Sequence, residues 1–396
     1  MSYTAFRLSL ALAAIGTAAY ASEYPGLPPM TQAALTPVAT GSFVGPARVV
    51  FDTRNACEKI DIPDASARAF RDEHGTVHLI ATHFAARAMT GSSLDNVKHD
   101  CRVIYRAPED TDPSHFQYEN WLYSFYTIDG RRIAALVHSE YHGEATADGC
   151  ATPAEPNNCW WNTVTFAQSF DGGDSFAEPQ PPLNLVASVP YRYLVGNRAS
   201  AYGYYQPTNI LKVGVYYYAM INDWPYKAQK YGPCLMRTES LFNPSSWRAW
   251  DGKDFTIRFV NPYTDSQANP EQHVCEPVFA GVADSLVQME STGVFIVSQL
   301  TPDNRFGSPG LYLSGSRDLI HWSRPALVIT TRDLAAEEGP GNWKYAYTSL
   351  LDPISKDRNF STVSGAPFVY YVRMDGNHAP YARILFRRRL RLHIVG

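Results

Sequence analysis

The chain has 396 residues, 45% hydrophobic and 18% charged, with a formal net charge of -4. This is the composition of a soluble globular protein with a substantial core, and its near-neutral balance gives no footprint for a nucleic-acid partner. After the first residues no stretch is long and apolar enough to form a membrane helix.

At the N-terminus, Arg7 is followed by LSLALAAIGTAAYA, an apolar run ending in Ala19, Tyr20 and Ala21. It is too short and too rich in small residues to span a bilayer, and it matches a secretory signal with an A-x-A cleavage site. Residues 1–21 are therefore expected to be removed, leaving a secreted or periplasmic protein with no membrane attachment. Residues 22–44 read as an N-terminal extension, and 45–396 as a single domain. In an oxidising compartment the six cysteines, Cys57, Cys101, Cys150, Cys159, Cys234 and Cys275, predict three disulfides. No CxxC pair or zinc-ribbon spacing occurs among them, and Cys150 and Cys159 bracket a short Pro/Asn loop that a local bridge would close.

Beyond the signal the chain is rich in Tyr, Phe, Trp and Val segments broken by Gly, Pro, Asn and Asp, which is a strand signature. Five segments share one form, an apolar strand, a Gly-containing turn and a second apolar strand. In order they are ASARAFRDEHGTVHLIATHF, NWLYSFYTIDGRRIAALVHSEYHG, YQPTNILKVGVYYYAMIND, ADSLVQMESTGVFIVSQLT and YAYTSLLDPISKDRNFSTVSGAPFVYYVRMDG, with turn glycines Gly75, Gly130, Gly214, Gly293 and Gly365. In the second, His138, Glu140 and His142 alternate, so on a strand all three leave one face. The outer two would stand about 13 Å apart at Cα, which is long for one ion, so no metal site is expected there.

Most hairpins are followed by a third strand ending in a turn and an aromatic: VTFAQSFDGGDSF, CLMRTESLFNPSSW and LYLSGSRDLIHW. A repeated unit of four short strands predicts an all-β fold, a five-bladed β-propeller of four-stranded antiparallel blades. ARVVF near the start can pair with RILFRRRLRL near the end to close the ring, so the basic run reads as a strand and not as a polyanion patch. SFDGGDSF, Ser169 to Phe176, is a full Asp box, in which Asp171 accepts turn amides and Phe176 plugs the blade. It is a structural motif on the face opposite the site proposed below.

The closing turns, especially SGSRDLIHW at 314–322, resemble those of five-bladed glycosidases of the β-fructosidase, arabinanase and levansucrase superfamily, families 32, 43, 62 and 68. The first hairpin, with IPDASARAFRDEHGTVHLIAT, is similar to their first blade. The resemblance covers residues 45–395 as architecture and short motifs as sequence. It implies a glycoside hydrolase, with Asp64 as general base or nucleophile. It also makes Glu140 either the acid or the residue that tunes it, and Glu276 in CEPV a candidate general acid by its likeness to an EC motif in reversed order.

In a propeller, innermost strands begin on the face where second strands end, and the channel opens there. That rule gathers Asp64, Gln206, Asn209, Glu276 and Tyr347 from strand starts with His138, Glu140, Asp223 and Arg373 from strand ends. Asp64, Glu140 and Glu276 are thus the expected catalytic carboxylates. His138, Gln206, Asn209, Asp223, Tyr347 and Arg373 are expected to bind substrate, while Trp121, Tyr123 and Tyr205 can stack on sugar faces. All six cysteines sort to the same face, which favours Cys57–Cys101 and Cys234–Cys275 bridges framing the channel. Blander readings are an Asx turn for Asp64 and a loop salt bridge for Glu276.

The reading is a secreted glycoside hydrolase acting on a poly- or oligosaccharide with no cofactor. Its rivals are a sialidase-like enzyme, to which Asp boxes also point, a polysaccharide lyase using His138 or His142 with a tyrosine, and a non-catalytic carbohydrate-binding propeller.

Overall fold

The computed structural model describes residues 38–143, 159–193, 201–376 and 381–395; the signal sequence and Cys150 fall outside them. Among the described residues strand β1 (Ala39–Asp52) comes first, and it pairs with the last of their strands. The first antiparallel unit is β2 (Arg68–Arg71), β3 (Val77–Ile80), β4 (Ala85–Gly91) and β5 (Lys98–Arg106), hydrogen-bonded in that order. The second is β6 (Glu119–Thr127), β7 (Ile133–His142), β8 (Trp160–Ser169) and β9 (Leu185–Ala187).

In the third, β10 (Tyr202–Tyr205) and β11 (Leu211–Val213) both pair with β12 (Tyr216–Trp224), followed by β13 (Cys234–Thr238), β14 (Arg248–Ala249) and β15 (Ile257–Arg258). The fourth is β16 (Ser285–Met289), β17 (Phe295–Thr301), β18 (Gly310–Ser316) and β19 (Ala326–Thr330), which leads into the helix α1 (Thr331–Glu338). The fifth is β20 (Trp343–Leu351), β22 (Phe368–Asp375) and β23 (Arg383–Ile394), with β1 as its outer strand. Between β20 and β22, the short β21 (Thr362–Val363) leaves to pair in parallel with β16.

The β1 pairing is the expected closure, with Arg48 opposite Arg387 and Phe51 opposite Leu385. It begins at Ala39 opposite Ile394, so residues 39–44, expected in an extension, belong to the sheet. Two arginines of β23 are used within the fold: Arg387 donates to Leu94 O at 2.8 Å and Arg389 to Ala366 O at 2.8 Å.

Apolar cores lie between successive units, so most sheet faces are covered and strands such as β3 and β17 are buried throughout. Phe70, Ile80, Leu122 and Phe176 join units one and two, and Trp161, Tyr202, Met236 and Trp247 join two and three. Leu211, Leu235, Leu286 and Trp322 join three and four. Val287, Leu313, Leu350 and Tyr371 join four and five. The ring then closes through Leu79, Met89, Phe360 and Tyr370 between five and one. Each such side chain contributes about 1.5–3 kcal/mol when fully buried.

Hydrogen bonds repeat the circuit near the axis. Tyr123 Oη meets Ser66 Oγ at 3.3 Å, Ser124 Oγ donates to Pro207 O at 2.9 Å, and Ser285 Oγ donates to Asn209 Oδ1 at 3.0 Å. Thr348 Oγ1 donates to Asp284 Oδ2 at 2.7 Å, and Tyr347 Oη to Asp64 Oδ1 at 2.8 Å. Buried Arg68 acts as a hub, its guanidinium donating to Asp284 O at 2.5 Å and Pro207 O at 3.4 Å. This arrangement is the all-β fold expected; its strands fall into five units, or blades, of which the second and third are joined into one sheet by parallel pairing of β8 with β10.

The Asp box behaves as a turn lock. Asp171 Oδ1 accepts from Ser175 N at 3.0 Å and from Ser169 Oγ at 2.7 Å, and Phe176 is buried. A side chain at Gly173 (φ +98°) would run 2.6 Å from the Phe70 ring. Gly75, Gly130, Gly214 and Gly293 take positive φ at their turns as expected, but Gly365 does not, because β21 replaces a tight hairpin with a longer excursion.

Candidate active site

The segment leading into β2 carries Asp64 to the mouth of the ring. It is tied to β5 by the Cys57–Cys101 disulfide, and Asp61 stiffens it by accepting from Cys57 N at 2.8 Å while bonding His99 Nε2 at 2.8 Å. Asp64 then meets three neighbours from separate elements: Tyr347 Oη at 2.8 Å, His83 Nε2 at 3.3 Å and the Arg383 guanidinium. Tyr347 reaches it from a bulge in β20 where pairing skips from Ala346 to Ser349, with a left-handed backbone at φ +60°. Burial and then the Asp64 charge push the Tyr347 hydroxyl far above its ordinary range, so it remains a donor.

Blade two supplies the second half. Glu119 stands directly opposite Glu140 and Trp121 opposite His138 in the β6–β7 ladder, and opposed residues share a face of the sheet. His142 is the last residue of β7. Its Nε2 lies 2.8 Å from Glu140 Oε2 and 3.7 Å from Glu119 Oε2, while His138 Nε2 lies 3.5 Å from Glu140 Oε1. A single carboxylate thus bridges two imidazoles whose backbones are far apart. His138 Nε2 also meets Asn162 Oδ1 at 3.0 Å.

The local field sorts these groups. Burial works to raise the Glu140 carboxyl, but the His142 hydrogen bond and the charges of His138, His142 and His83 outweigh it and hold Glu140 below the usual carboxylate range. Burial lowers His138 and His83, against the opposing pull of Glu140 and Asp64. Glu119 is pushed up to about 7, chiefly by burial; His142 opposes this, and the charges of Glu140, Glu109 and Asp64 add to it. Aromatic rings wall the site, with Trp121 5.3 Å from His83, Trp160 4.6 Å from His142, and Tyr205 stacked on Trp224 at 4.2 Å.

The structure brings Asp64, His138, Glu140 and Tyr347 together and leaves other expected members elsewhere. Glu276 is tied through its amide to Trp250 O at 2.9 Å on the outer part of blade three, and Lys230 Nζ holds its carboxylate at 2.6 Å. That is the loop salt bridge, not a channel acid. Arg373 faces Ile384 in the β22–β23 ladder while Arg383 faces Met374, so the two arginines leave opposite sides of the sheet. Arg373 consequently pairs with Glu338 of α1 at 3.1 Å, and Arg383 takes the place at Asp64.

Asn209 is consumed by the contact between blades three and four, where it also accepts from Leu286 N at 3.3 Å. Asn222 faces Ala283, donating to its carbonyl at 3.0 Å, so the next residue, Asp223, points away from the axis. It is fully buried, and burial pushes its carboxyl well above the ordinary range. Gln206, with φ +46°, follows Tyr205, and its carbonyl accepts from Asn222 Nδ2 at 3.4 Å. The second expected framing disulfide, Cys234–Cys275, is present; a Cys150–Cys159 bridge involves a residue outside those described.

Glu119 escaped the sequence reading, although it opens the innermost strand of blade two and satisfies the same rule that found Asp64. Glu119, Glu140 and His142 each place one atom within 4.8 Å of the others, near enough to hold a cation. His142 Nε2 is bonded to Glu140 Oε2 at 2.8 Å, while Glu119 Oε2 stands 3.7 Å from it. The other such set among the described residues, Cys57, Asp61 and His99, includes a disulfide sulfur.

No family model matches the sequence, and no curated protein matches it. Solved structures do match. A family 117 glycoside hydrolase from the marine bacterium Zobellia galactanivorans aligns over 89% of this chain and 90% of its own, at 10% identity and a TM-score of 0.53. An α-L-arabinanase from Cellvibrio cellulosa aligns over 85% of this chain and 93% of its own, at 12% identity and a TM-score of 0.46. A glycosyl hydrolase from Bacteroides ovatus aligns over 88% and 93%, at 8% identity and a TM-score of 0.47. At such identities likeness is a matter of fold, and the fold this chain shares along most of its length is that of the family 117 glycoside hydrolase.

Proposed function

We propose that the protein is a glycoside hydrolase that cleaves a poly- or oligosaccharide by acid/base work between carboxylates at the mouth of the ring. The observation that carries this reading is the convergence of Asp64 from blade one with Glu119 and Glu140 from blade two, beside three imidazoles and a wall of aromatic rings. Asp64 acts as base or nucleophile, and the face shared by β6 and β7 supplies the acid. His138, Tyr347 and Arg383 orient the carboxylates, while Trp121 and Tyr205 offer apolar faces to a sugar ring.

Action outside the cytoplasm agrees with the signal-like N-terminus and with the two disulfides among the described residues. No helix among those residues is long and apolar enough to cross a membrane. A sialidase-like reading loses support because a substrate carboxylate would need arginines, and the candidates are engaged. Arg383 is on Asp64, Arg373 on Glu338, and Arg68 on backbone carbonyls.

The test is a glycan panel assayed for reducing ends and for absorbance near 235 nm, with wild type and Asp64→Asn. Release of reducing ends that falls at least about 100-fold in Asp64→Asn supports hydrolysis. Unsaturated products absorbing near 235 nm would make the enzyme a lyase, and binding without cleavage would make it a carbohydrate-binding propeller.

A further inference from the structure

We propose that Glu119, at the head of β6, is the proton donor of this site, and that Glu140 is the fixed negative charge opposite it. The inference rests on the glycosidase reading and assigns its acid, which neither the sequence motifs nor the fold likeness does.

Three carboxylates meet here, and they differ in what already occupies them. Asp64 is taken up by Tyr347, His83 and Arg383. Glu140 bonds His142 and lies beside His138. Among the described residues the Glu119 carboxyl has no hydrogen-bond donor, its nearest basic neighbour being His142 at 3.7 Å. An acid must present its proton to the substrate and not to a neighbouring side chain, so this is the group with a proton to give. Glu119 is also the most open of the three, with its side chain 28% exposed against 14% for Glu140 and 11% for Asp64.

The ladder supplies the second half of the argument. Two carboxylates directly opposed on one sheet face disfavour a double negative charge, so one of them holds a proton. Glu140 has His138 and His142 at hand, with the charge of His83 acting on it as well, and is the member that these imidazoles stabilise as an anion. The groups acting on Glu119 are His142 and Glu140 from β7, Glu109 from the preceding loop and Asp64 from the segment before β2. Three of these four are acidic, and Glu119 at about 7 is protonated over much of the range in which such a site works.

In the step itself the Glu119 O–H bond breaks and its proton bonds to the glycosidic oxygen. That oxygen keeps the electron pair as its bond to the anomeric carbon breaks. Water oxygen bonds to the same carbon and passes its proton to Asp64. Glu119 is left as carboxylate and Asp64 as acid, and exchange of one proton through solvent restores both.

The experiment uses the full chain, wild type, Glu119→Gln and Glu140→Gln. The probes are the 4-nitrophenyl and 2,4-dinitrophenyl glycosides of the sugar the panel releases. Loss of a proton donor is felt only where the leaving group needs the proton. Glu119→Gln is expected to lose 100- to 10,000-fold on the nitrophenyl glycoside, and under about tenfold on the dinitrophenyl one. Its rate should also lose the alkaline limb of the wild-type pH profile.

Independently of that variant, Glu140→Gln should move the alkaline limb to lower pH by on the order of one pH unit, since a like charge has been removed. Equal losses of Glu119→Gln on both glycosides, wild-type activity in that variant, or the leaving-group signature in Glu140→Gln would each overturn the assignment. So would wild-type activity that is abolished by EDTA and restored by a divalent cation. Wild type inert on every glycoside would instead remove the glycosidase reading itself, and this assignment with it.

Discussion

Glu119 and Glu140 oppose each other across the β6–β7 ladder, with the His142 imidazole 2.8 Å from one and 3.7 Å from the other. This relationship has a thermodynamic signature separate from any activity. Glu119 has a folded-state pKa of about 7, above the 4.5 of an ordinary glutamate, so between those values the folded chain holds a proton the unfolded chain has released. Stability therefore falls as pH rises through that window. Glu119→Gln removes the cost, so its melting temperature should exceed that of wild type at pH 8 and show no such gain at pH 4. The displacement corresponds to at most about 3 kcal/mol, reduced by partial solvent access. Thermal melts at the two pH values decide it, and a gain that is the same at both would show that Glu119 is not perturbed.

Asp64 and Arg383 form a largely buried ion pair, and breaking such a pair from one side strands a charge. Asp64→Asn should lose about 3 kcal/mol in urea unfolding as well as its activity. Arg383→Met should also destabilise, but the double variant should lose clearly less than the sum of the two. None of the three should be active. Additive losses in the unfolding cycle would mean that the pair is not coupled.

Glu276→Gln is expected to be nearly silent. Its partner Lys230 is solvent-exposed and the Glu276 side chain is 43% exposed, and exposed pairs of this kind contribute about 0–1 kcal/mol. Activity within about twofold of wild type would agree with its place on the outer part of blade three. A loss of 100-fold or more would return it to the catalytic set.

Arg68 is the hub on which three blades lean. Burial lowers its guanidinium to about 10, which leaves it charged at neutral pH while it donates to carbonyls of Ala67, Pro207 and Asp284. Arg68→Met should cost about 2–4 kcal/mol, because carbonyls deep in the ring lose a charged donor. The measurement is the urea midpoint at unchanged slope. A midpoint equal to that of wild type would mean that the ring holds without its hub.

The hairpins were legible because alternation and turn glycines are local. Gly75, Gly130, Gly214 and Gly293 each sit where a positive φ is needed. Gly365 misled, since nothing local announces that β21 will cross to pair with β16. Asp64, His138, Glu140 and Tyr347 could be gathered from strand order alone. Arg373 could not be told from Arg383, because which face each residue leaves depends on the register between β22 and β23, which the loop joining them does not announce. Glu276 was misplaced for a related reason: a loop of many residues has no periodicity to say which strand it will follow. Glu119 was within reach of the rule for strand starts, but its partner across the ladder emerges only when β6 and β7 are aligned.

The pairing of β1 with β23 has a consequence for how the molecule is made. Thr53 and Arg383, which exchange hydrogen bonds at 3.0 and 3.1 Å, are 330 residues apart in the chain. During synthesis β1 emerges before the four units that follow it and must wait for β23 to be made. Until then the fifth sheet lacks two of its strands and the cores beside it remain open to solvent. Such distant contacts carry a large loop-closure cost that local hairpins do not share. Four blades can be assembled from contacts close in the chain, while closure of the ring is set by how quickly two strands so far apart in sequence find one another.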